Sequence, residues 1–293
     1  MKEIFVLGAK DPEMDDIEEI LLSAKLDYVY ASINGVRCHP GNSYEANNES
    51  YMANNDLSKY KKIVYIESAT IKKYNNSIFL DHHKEGHFGF EFTYKDFLPA
   101  SSIGQLIKYL IDNDISLFKK TNINSNKFLF QNNEWSYENQ IILKKYVFSA
   151  AVDHSLSESY KGLCQGVNTS EVSEYRTSQI AVSFNNNIDL VHKTMAKYLN
   201  NFKSHSNEIR DFTNLDLGTG YSIDYLCFRE LAILYCQPVV VKTKDSEESP
   251  IRLMFLSLTV EMSEKLLTDG FFNEYIFKSS FGVPNRGYVG AFL

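Results

Sequence analysis

Three short apolar runs that each stop at acidic residues constrain this chain more than any other feature of its sequence. Glu3-Ile4-Phe5-Val6-Leu7-Gly8 leads into the acidic segment Asp11 to Asp16, Ile63-Val64-Tyr65-Ile66 stops at Glu67, and Ser77-Ile78-Phe79-Leu80 stops at Asp81. The runs are short and rich in β-branched and aromatic residues, which reads as buried strands. Behind the first run, Ile17, Ile20, Leu21, Leu22 and Leu26 recur at the spacing of one helix face and predict a helix over 15–25. A strand, a short loop and a helix open an α/β unit. Ligands of open parallel sheets sit beyond the carboxyl ends of the strands. Parallel neighbours here would therefore gather Asp11 to Asp16, Glu67 and Asp81 to His83.

The rest of the chain extends this pattern. Tyr28 to Ile33 reads as a further strand, and Ser101-Ser102 caps a predicted helix carrying Ile103, Leu106, Ile107, Leu110 and Ile111. A second helix is expected over 138–152 and another over 181–202, with a polar stretch between them at 155–175. Val239 to Lys242 and Leu253 to Leu258 read as strands joined through the acidic turn 245–250, a hairpin, with a helix at 261–268 behind them. At 293 residues the chain is comfortable for two domains. The expected fold is α/β: a mostly parallel sheet flanked by helices over 1–185, a helical linker over 186–215, and a smaller α+β domain over 216–293.

Charge and cysteine usage narrow the function. A formal net charge of −7 disfavours tight binding of duplex nucleic acid. A small phosphorylated substrate stays compatible, because a metal ion reverses the field inside an acidic pocket. No apolar run reaches the 18 or more residues of a membrane span, and the first residues read as a strand, not a signal peptide. Cys38, Cys164, Cys227 and Cys236 form no CxxC pair, which reads as reduced thiols in a cytoplasmic protein.

Four segments can carry chemistry. Asp81-His82-His83 places two adjacent imidazoles after a carboxylate at a strand end, and imidazole is a common ligand of first-row metals. In Asp11-Pro12-Glu13-Met14-Asp15-Asp16, Glu13 and Asp15 are two apart and would face one side of an extended loop, a pairing that suits Mn²⁺ or Mg²⁺. Asp153-His154 closes an apolar helical segment. The turn-rich loop from Asn34 to Asn42 carries Arg37 and His39, both candidates to meet substrate.

In this order the motifs resemble the DHH phosphoesterase superfamily, which includes RecJ-type exonucleases, oligoribonucleases, cyclic dinucleotide phosphodiesterases, exopolyphosphatases and manganese-dependent inorganic pyrophosphatases. The resemblance covers about the first 160 residues. The family's first motif, His-x-x-Pro-Asp-x-Asp, is matched at Pro12 and Asp15, with Ala9 in place of the histidine and Glu13 in place of an aspartate. Glu67 stands for the second-motif aspartate, Asp81-His82-His83 matches the third motif in full, and Asp153 stands for the fourth. The resemblance implies one metal held by Asp15, Glu67, His82 and Asp153, and a second held by Glu13 and Glu67, with Asp11 or His39 substituting for the absent histidine. It implies one or two Mn²⁺ or Mg²⁺ ions. Asp81 and His83 are then catalytic, with His83 donating a hydrogen bond to a phosphoryl oxygen or leaving group. Gly282 to Gly287 looks like a degraded form of the RecJ-type substrate motif, with Arg286 as its phosphate contact. The implied activity is hydrolysis of a phosphoester in a short oligonucleotide, a dinucleotide or a phosphorylated nucleoside. An inorganic pyrophosphatase and a degenerate binding protein are the alternatives. A homodimer is compatible with each.

Overall fold

The structure is a computed structural model that describes residues 3–39, 42–46, 57–70, 74–115, 119–120, 127–138, 140–204, 208–244, 251–268, 279–283 and 288–292. The chain divides into two compact units, one of Met1–Ser155 with Leu163–Val167, the other of Leu156–Gly162 with Asn168–Leu293. Among the described residues no helix is long and apolar enough to cross a membrane.

The first unit begins with β1 (Glu3–Leu7), α1 (Pro12–Ser23) and β2 (Tyr28–Tyr30), followed by the hairpin β3 (Ser32–Ile33) and β4 (Val36–Arg37). The hairpin divides the run Tyr28 to Ile33, which the sequence suggested as a single strand. Its turn is Asn34-Gly35, with φ of +52° and +79°, and positive φ at both central residues matches the twist of a tight hairpin. Next come β5 (Lys62–Ile66), β6 (Ser77–Leu80), α2 (Phe97–Ala100) and α3 (Ser102–Asp112). Strands β2-β1-β5-β6 form an all-parallel sheet in that order, with Leu7 beside Ile66 and Ile66 beside Leu80. Ile4, Phe5, Val6 and Leu7 are all buried, so both faces of the central strand are covered, as parallel sheets require. Ile4 and Val6 pack with Ile63, Tyr65 and Ala31 on one face, and Phe5 meets Tyr109 of α3 on the other.

From β1 the chain first moves to one side, to β2, and then returns to the other side of β1 to form β5. The strand order reverses between β1 and β5, and such a switch point is where open α/β sheets hold ligands. Gly8 lies there, and a Cβ on it would come within 2.4 Å of the Glu67 carbonyl oxygen. Only glycine lets the two strand ends approach so closely.

Two predicted helices start elsewhere. Helix α1 begins at Pro12, one turn earlier than its apolar face suggests, because the Asp11 carboxylate accepts the Met14 N–H at 2.7 Å and Pro12 sits in the first turn. The segment expected to open a helix at 138 instead forms strand. β7 (Lys119–Lys120), β8 (Leu129–Gln131), β9 (Glu134–Tyr137) and β10 (Gln140–Ile142) make a small antiparallel sheet, in which Ile142 pairs with Trp135. Only then does α4 (Lys144–Tyr160) begin, and it breaks at Ser155, the last residue of the first unit's main stretch (φ −149°, ψ 50°).

The second unit contains α5 (Thr169–Val182), α6 (Ile188–Leu199), β11 (Arg210–Asp211), α7 (Ile223–Leu234), β12 (Val239–Thr243), β13 (Arg252–Leu256), α8 (Val260–Thr268), β14 (Ser279–Val283) and β15 (Tyr288–Phe292). Its mixed sheet runs β11-β12-β13-β15-β14, and β12 and β13 pair antiparallel as the hairpin pattern suggested. Their acidic turn, 245–250, lies outside the described residues. Phe228, Tyr198, Val239 and Val241 centre its core. Beside that core, Arg176 of α5 makes a buried ion pair with Glu230 of α7 at 2.9 Å, and the Tyr160 hydroxyl donates to the same carboxylate.

Candidate metal centre

The carboxyl ends of β5 and β6 and the α4 helix each bring part of one cluster. One ligand atom from each of Glu67, His82, His83 and Asp153 lies within 4.8 Å of the others. His82 Nε2 is 2.8 Å from Asp153 Oδ2 and 3.5 Å from Glu67 Oε1, and His83 Nδ1 is 3.8 Å from that same Glu67 oxygen. Glu67 holds a φ of +49°, a strained conformation for a residue with a long side chain. Backbone strain of this kind collects where a side chain must be aimed, and Glu67 is aimed at two imidazoles.

Asp81 holds the loop that carries them. Its Oδ1 accepts the backbone N–H of His82 at 2.7 Å and of His83 at 3.0 Å, and the His83 Nδ1–H at 3.0 Å. His87 Nδ1 approaches the same oxygen at 3.2 Å, and the Tyr44 hydroxyl donates to Oδ2 at 2.7 Å. Burial raises the Asp81 pKa, but the His83 bonds and the Tyr44 bond outweigh it and bring it to about 2. Gln105 of α3 clamps the Asp81 backbone on both sides, accepting its N–H and donating to its carbonyl. Asp81 therefore positions His82 and His83 and stands outside the cluster itself. Gly89 packs against it from the following turn, where a Cβ would lie 2.8 Å from His82 Cβ and 2.1 Å from the Ala100 carbonyl.

Glu13 and Asp15 do not share a side. The expectation assumed an extended loop, but both lie on α1, where positions two apart point about 200° away from each other. Glu13 is 2% exposed and turns inward, while Asp15 is exposed. Glu13 Oε1 accepts the Ile103 N–H at 2.9 Å at the start of α3, and Ser101 Oγ accepts the Gly104 N–H beside it. Burial raises the Glu13 pKa well above the carboxylate range, and the charges of Asp153 and Glu67 raise it further. Asp11 is raised in the same way, by burial and then by Glu67 and Asp153. The acidic segment thus presents Asp11 and Glu13 to the cluster. Asp15 instead has Lys10, Arg37 and Glu18 as its electrostatic neighbours.

Arg37 donates from Nε to the Gly8 carbonyl at 3.2 Å and stacks over the Tyr30 ring, while His39 is exposed on the following loop. Arg286 lies outside the described residues. Tyr44 and Gln105 are site residues that the sequence did not reveal, whereas His87 and His154 stood beside motifs, at Asp81-His82-His83 and at Asp153, without a role of their own.

The donor set fits a divalent cation. Of the buried carboxylate oxygens, Glu13 Oε2 accepts no hydrogen bond, while Glu67 Oε1 and Asp153 Oδ2 face imidazole, 3.5 Å and 2.8 Å from His82 Nε2. Four carboxylates act electrostatically on one another here: Asp11, Glu13, Glu67 and Asp153. Within the chain their charge is countered by imidazole. Burial would lower the His82 pKa, but Asp153 and Glu67 raise it to about 9. Glu67 goes the other way: burial lifts it, and His83 and His82 hold it below the ordinary carboxylate value. Two imidazoles with hard carboxylate oxygens suit first-row divalent ions such as Mn²⁺. Comparison of the chain with protein-family models, with curated proteins and with solved structures returns no match.

Proposed function

We propose that this chain is a divalent-metal-dependent phosphoester hydrolase of DHH type, acting on a small phosphorylated substrate. The supporting observation is the convergence of Glu67, His82, His83 and Asp153 beyond the carboxyl ends of parallel strands, reached from three motifs that occur in the order of that superfamily. Glu67, His82 and Asp153 hold the first ion. Asp11, Glu13 and Glu67 serve a second, with Asp11 in the role of the histidine that Ala9 lacks. A bound divalent ion supplies Lewis-acid activation of water and neutralises charge developing on the phosphoryl oxygens.

The chain's own groups do the rest. Asp81 Oδ1 takes the Nδ1–H of His83, which leaves Nε2 as the nitrogen that meets substrate. Protonated there, it donates to a phosphoryl oxygen or to the leaving group. Tyr44 and Gln105 hold Asp81 still, so His83 needs little reorganisation.

The test is phosphate release from chelator-treated protein given Mn²⁺ and a panel of short oligonucleotides, dinucleotides, phosphorylated nucleosides and pyrophosphate. Turnover of an organic phosphoester that His83→Ala lowers while Mn²⁺ binding persists supports the reading. Mn²⁺ binding without hydrolysis of any member of the panel would overturn it.

A further inference from the structure

His154 follows Asp153 on α4, and its imidazole stacks on that of His82 with ring centroids 5.2 Å apart and planes 26° apart. Its two nitrogens have different partners. His154 Nε2 lies 3.1 Å from the carbonyl oxygen of Phe92, and His154 Nδ1 lies 3.0 Å from His82 Nδ1. A carbonyl oxygen carries no proton, so His154 Nε2 must be the donor in the first contact. A neutral imidazole with its proton on Nε2 has a lone pair on Nδ1. The proton between the two rings therefore belongs to His82 Nδ1.

This chain of bonds decides which nitrogen of His82 an ion can take. With a proton held on Nδ1 by His154, the nitrogen left for an ion is Nε2, which in the ion-free chain makes an ion-pair contact with Asp153 at 2.8 Å and stands 3.5 Å from Glu67. The reverse arrangement would need two protons on His154. It would put the neutral His82 proton on Nε2 and close the ligand position.

The carbonyl that anchors the relay is itself fixed. Phe92 ends the turn that contains Gly89, whose backbone packs directly on His82 Cβ and on the Ala100 carbonyl. Ligating histidines generally give their second N–H to a carboxylate, carbonyl or water, and that partner sets tautomer and ring orientation. Here a second imidazole stands between the ligand and the carbonyl.

We propose that His154 is a positioning residue for the metal centre: through the Phe92 carbonyl–His154–His82 relay it locks His82 in the tautomer that offers Nε2 to a divalent ion. The inference rests on the reading of His82 as a ligand, and its experiment separates the two. His154→Gln keeps one acceptor and one donor, whereas His154→Phe keeps the ring and its stacking but removes both. Long-range proton–nitrogen spectra of the full chain report which His82 nitrogen carries the proton, both loaded with diamagnetic Zn²⁺ and without ion at alkaline pH. Calorimetry reports Mn²⁺ affinity.

The expected result is a protonated His82 Nδ1 in the wild-type chain, loss of that tautomer preference in His154→Phe with Mn²⁺ affinity lower by about 10–100-fold, and recovery of most of both in His154→Gln. A bare Nδ1 in wild type, or wild-type Mn²⁺ affinity in a folded His154→Phe chain, overturns the relay. A wild-type chain that binds no Mn²⁺ overturns the ligand role of His82, while the metal-free spectrum still decides the direction of the relay.

Discussion

Glu13→Gln should make the metal-free chain more stable and its metal response weaker. The amide keeps Oε1 as acceptor for the Ile103 N–H, so the bond at the start of α3 survives. The unpartnered carboxylate oxygen gives way to an amide NH2, a donor in the field of the Asp153, Glu67 and Asp11 carboxylates. Leaving such an oxygen unsatisfied costs about 1–3 kcal/mol, and more when it is charged. Relief of about 1–3 kcal/mol in a unit of this size raises the melting temperature by roughly 2–12 °C. The sign of the pH dependence follows from the raised pKa. A carboxyl whose folded pKa is raised stabilises the fold below its ordinary value and loses that contribution as pH rises through the folded value. Wild-type stability without metal therefore falls as pH climbs out of the carboxylate range, and the Gln variant falls less, since Asp11 and Asp15, whose carboxyls burial also raises, keep that behaviour at this end of α1.

Mn²⁺ inverts the comparison. At about 100 times its dissociation constant, an ion stabilises the fold by about 2.7 kcal/mol, and the variant, short of one anionic oxygen, gains less. Scanning calorimetry of both chains at about pH 8, with chelator and with saturating Mn²⁺, measures all four states. A metal-free variant that melts below wild type, or an unchanged Mn²⁺ shift, would refute the assignment of Glu13 to the ion site.

Two further perturbations separate the loop scaffold from the second unit. Asp81 titrates at about 2 against an ordinary 3.8, so it stabilises the fold above the ordinary value and loses about 2 kcal/mol as pH falls towards its folded value; urea unfolding of Asp81→Asn across that range should show a flatter acid limb than wild type. In the second unit, Glu230 is raised by burial but held below its ordinary value by Arg176, and Glu230→Gln would leave the Arg176 charge buried beside Tyr160. Breaking a buried pair from one side costs about 3–5 kcal/mol, which denaturant unfolding of that unit should register, whereas Mn²⁺ binding by the first unit should not change.

Much of the parallel sheet was legible because its strands are apolar throughout and end on acids, a pattern that survives without any knowledge of tertiary contacts. The helix starts were harder. Asp11-Pro12 carried a cap signal, but the apolar face from Ile17 onwards drew attention to a later start, and the error placed Asp15 beside Glu13. Ile141 and Ile142 fit a helix face as well as a strand, and only their pairing with Trp135 and Ser136 decides between them. The residues that hold the site together act over long separations. Gln105 reaches Asp81 across 24 positions, Tyr44 reaches it across 37, and His154 reaches His82 across 72. No local periodicity marks such contacts. Residues 186–215, read as a linker, carry α6 and β11 and lie in the second unit.

Glu67, His82 and Asp153 are proposed to hold a divalent ion with His83 beside it, and calorimetric titration of the chelator-treated chain with Mn²⁺ tests this most directly. Wild type should bind one or two ions saturably, and His82→Ala and Asp153→Asn should abolish binding at the first site in chains that remain folded. No heat of binding in wild type, or undiminished binding in both variants, would contradict it.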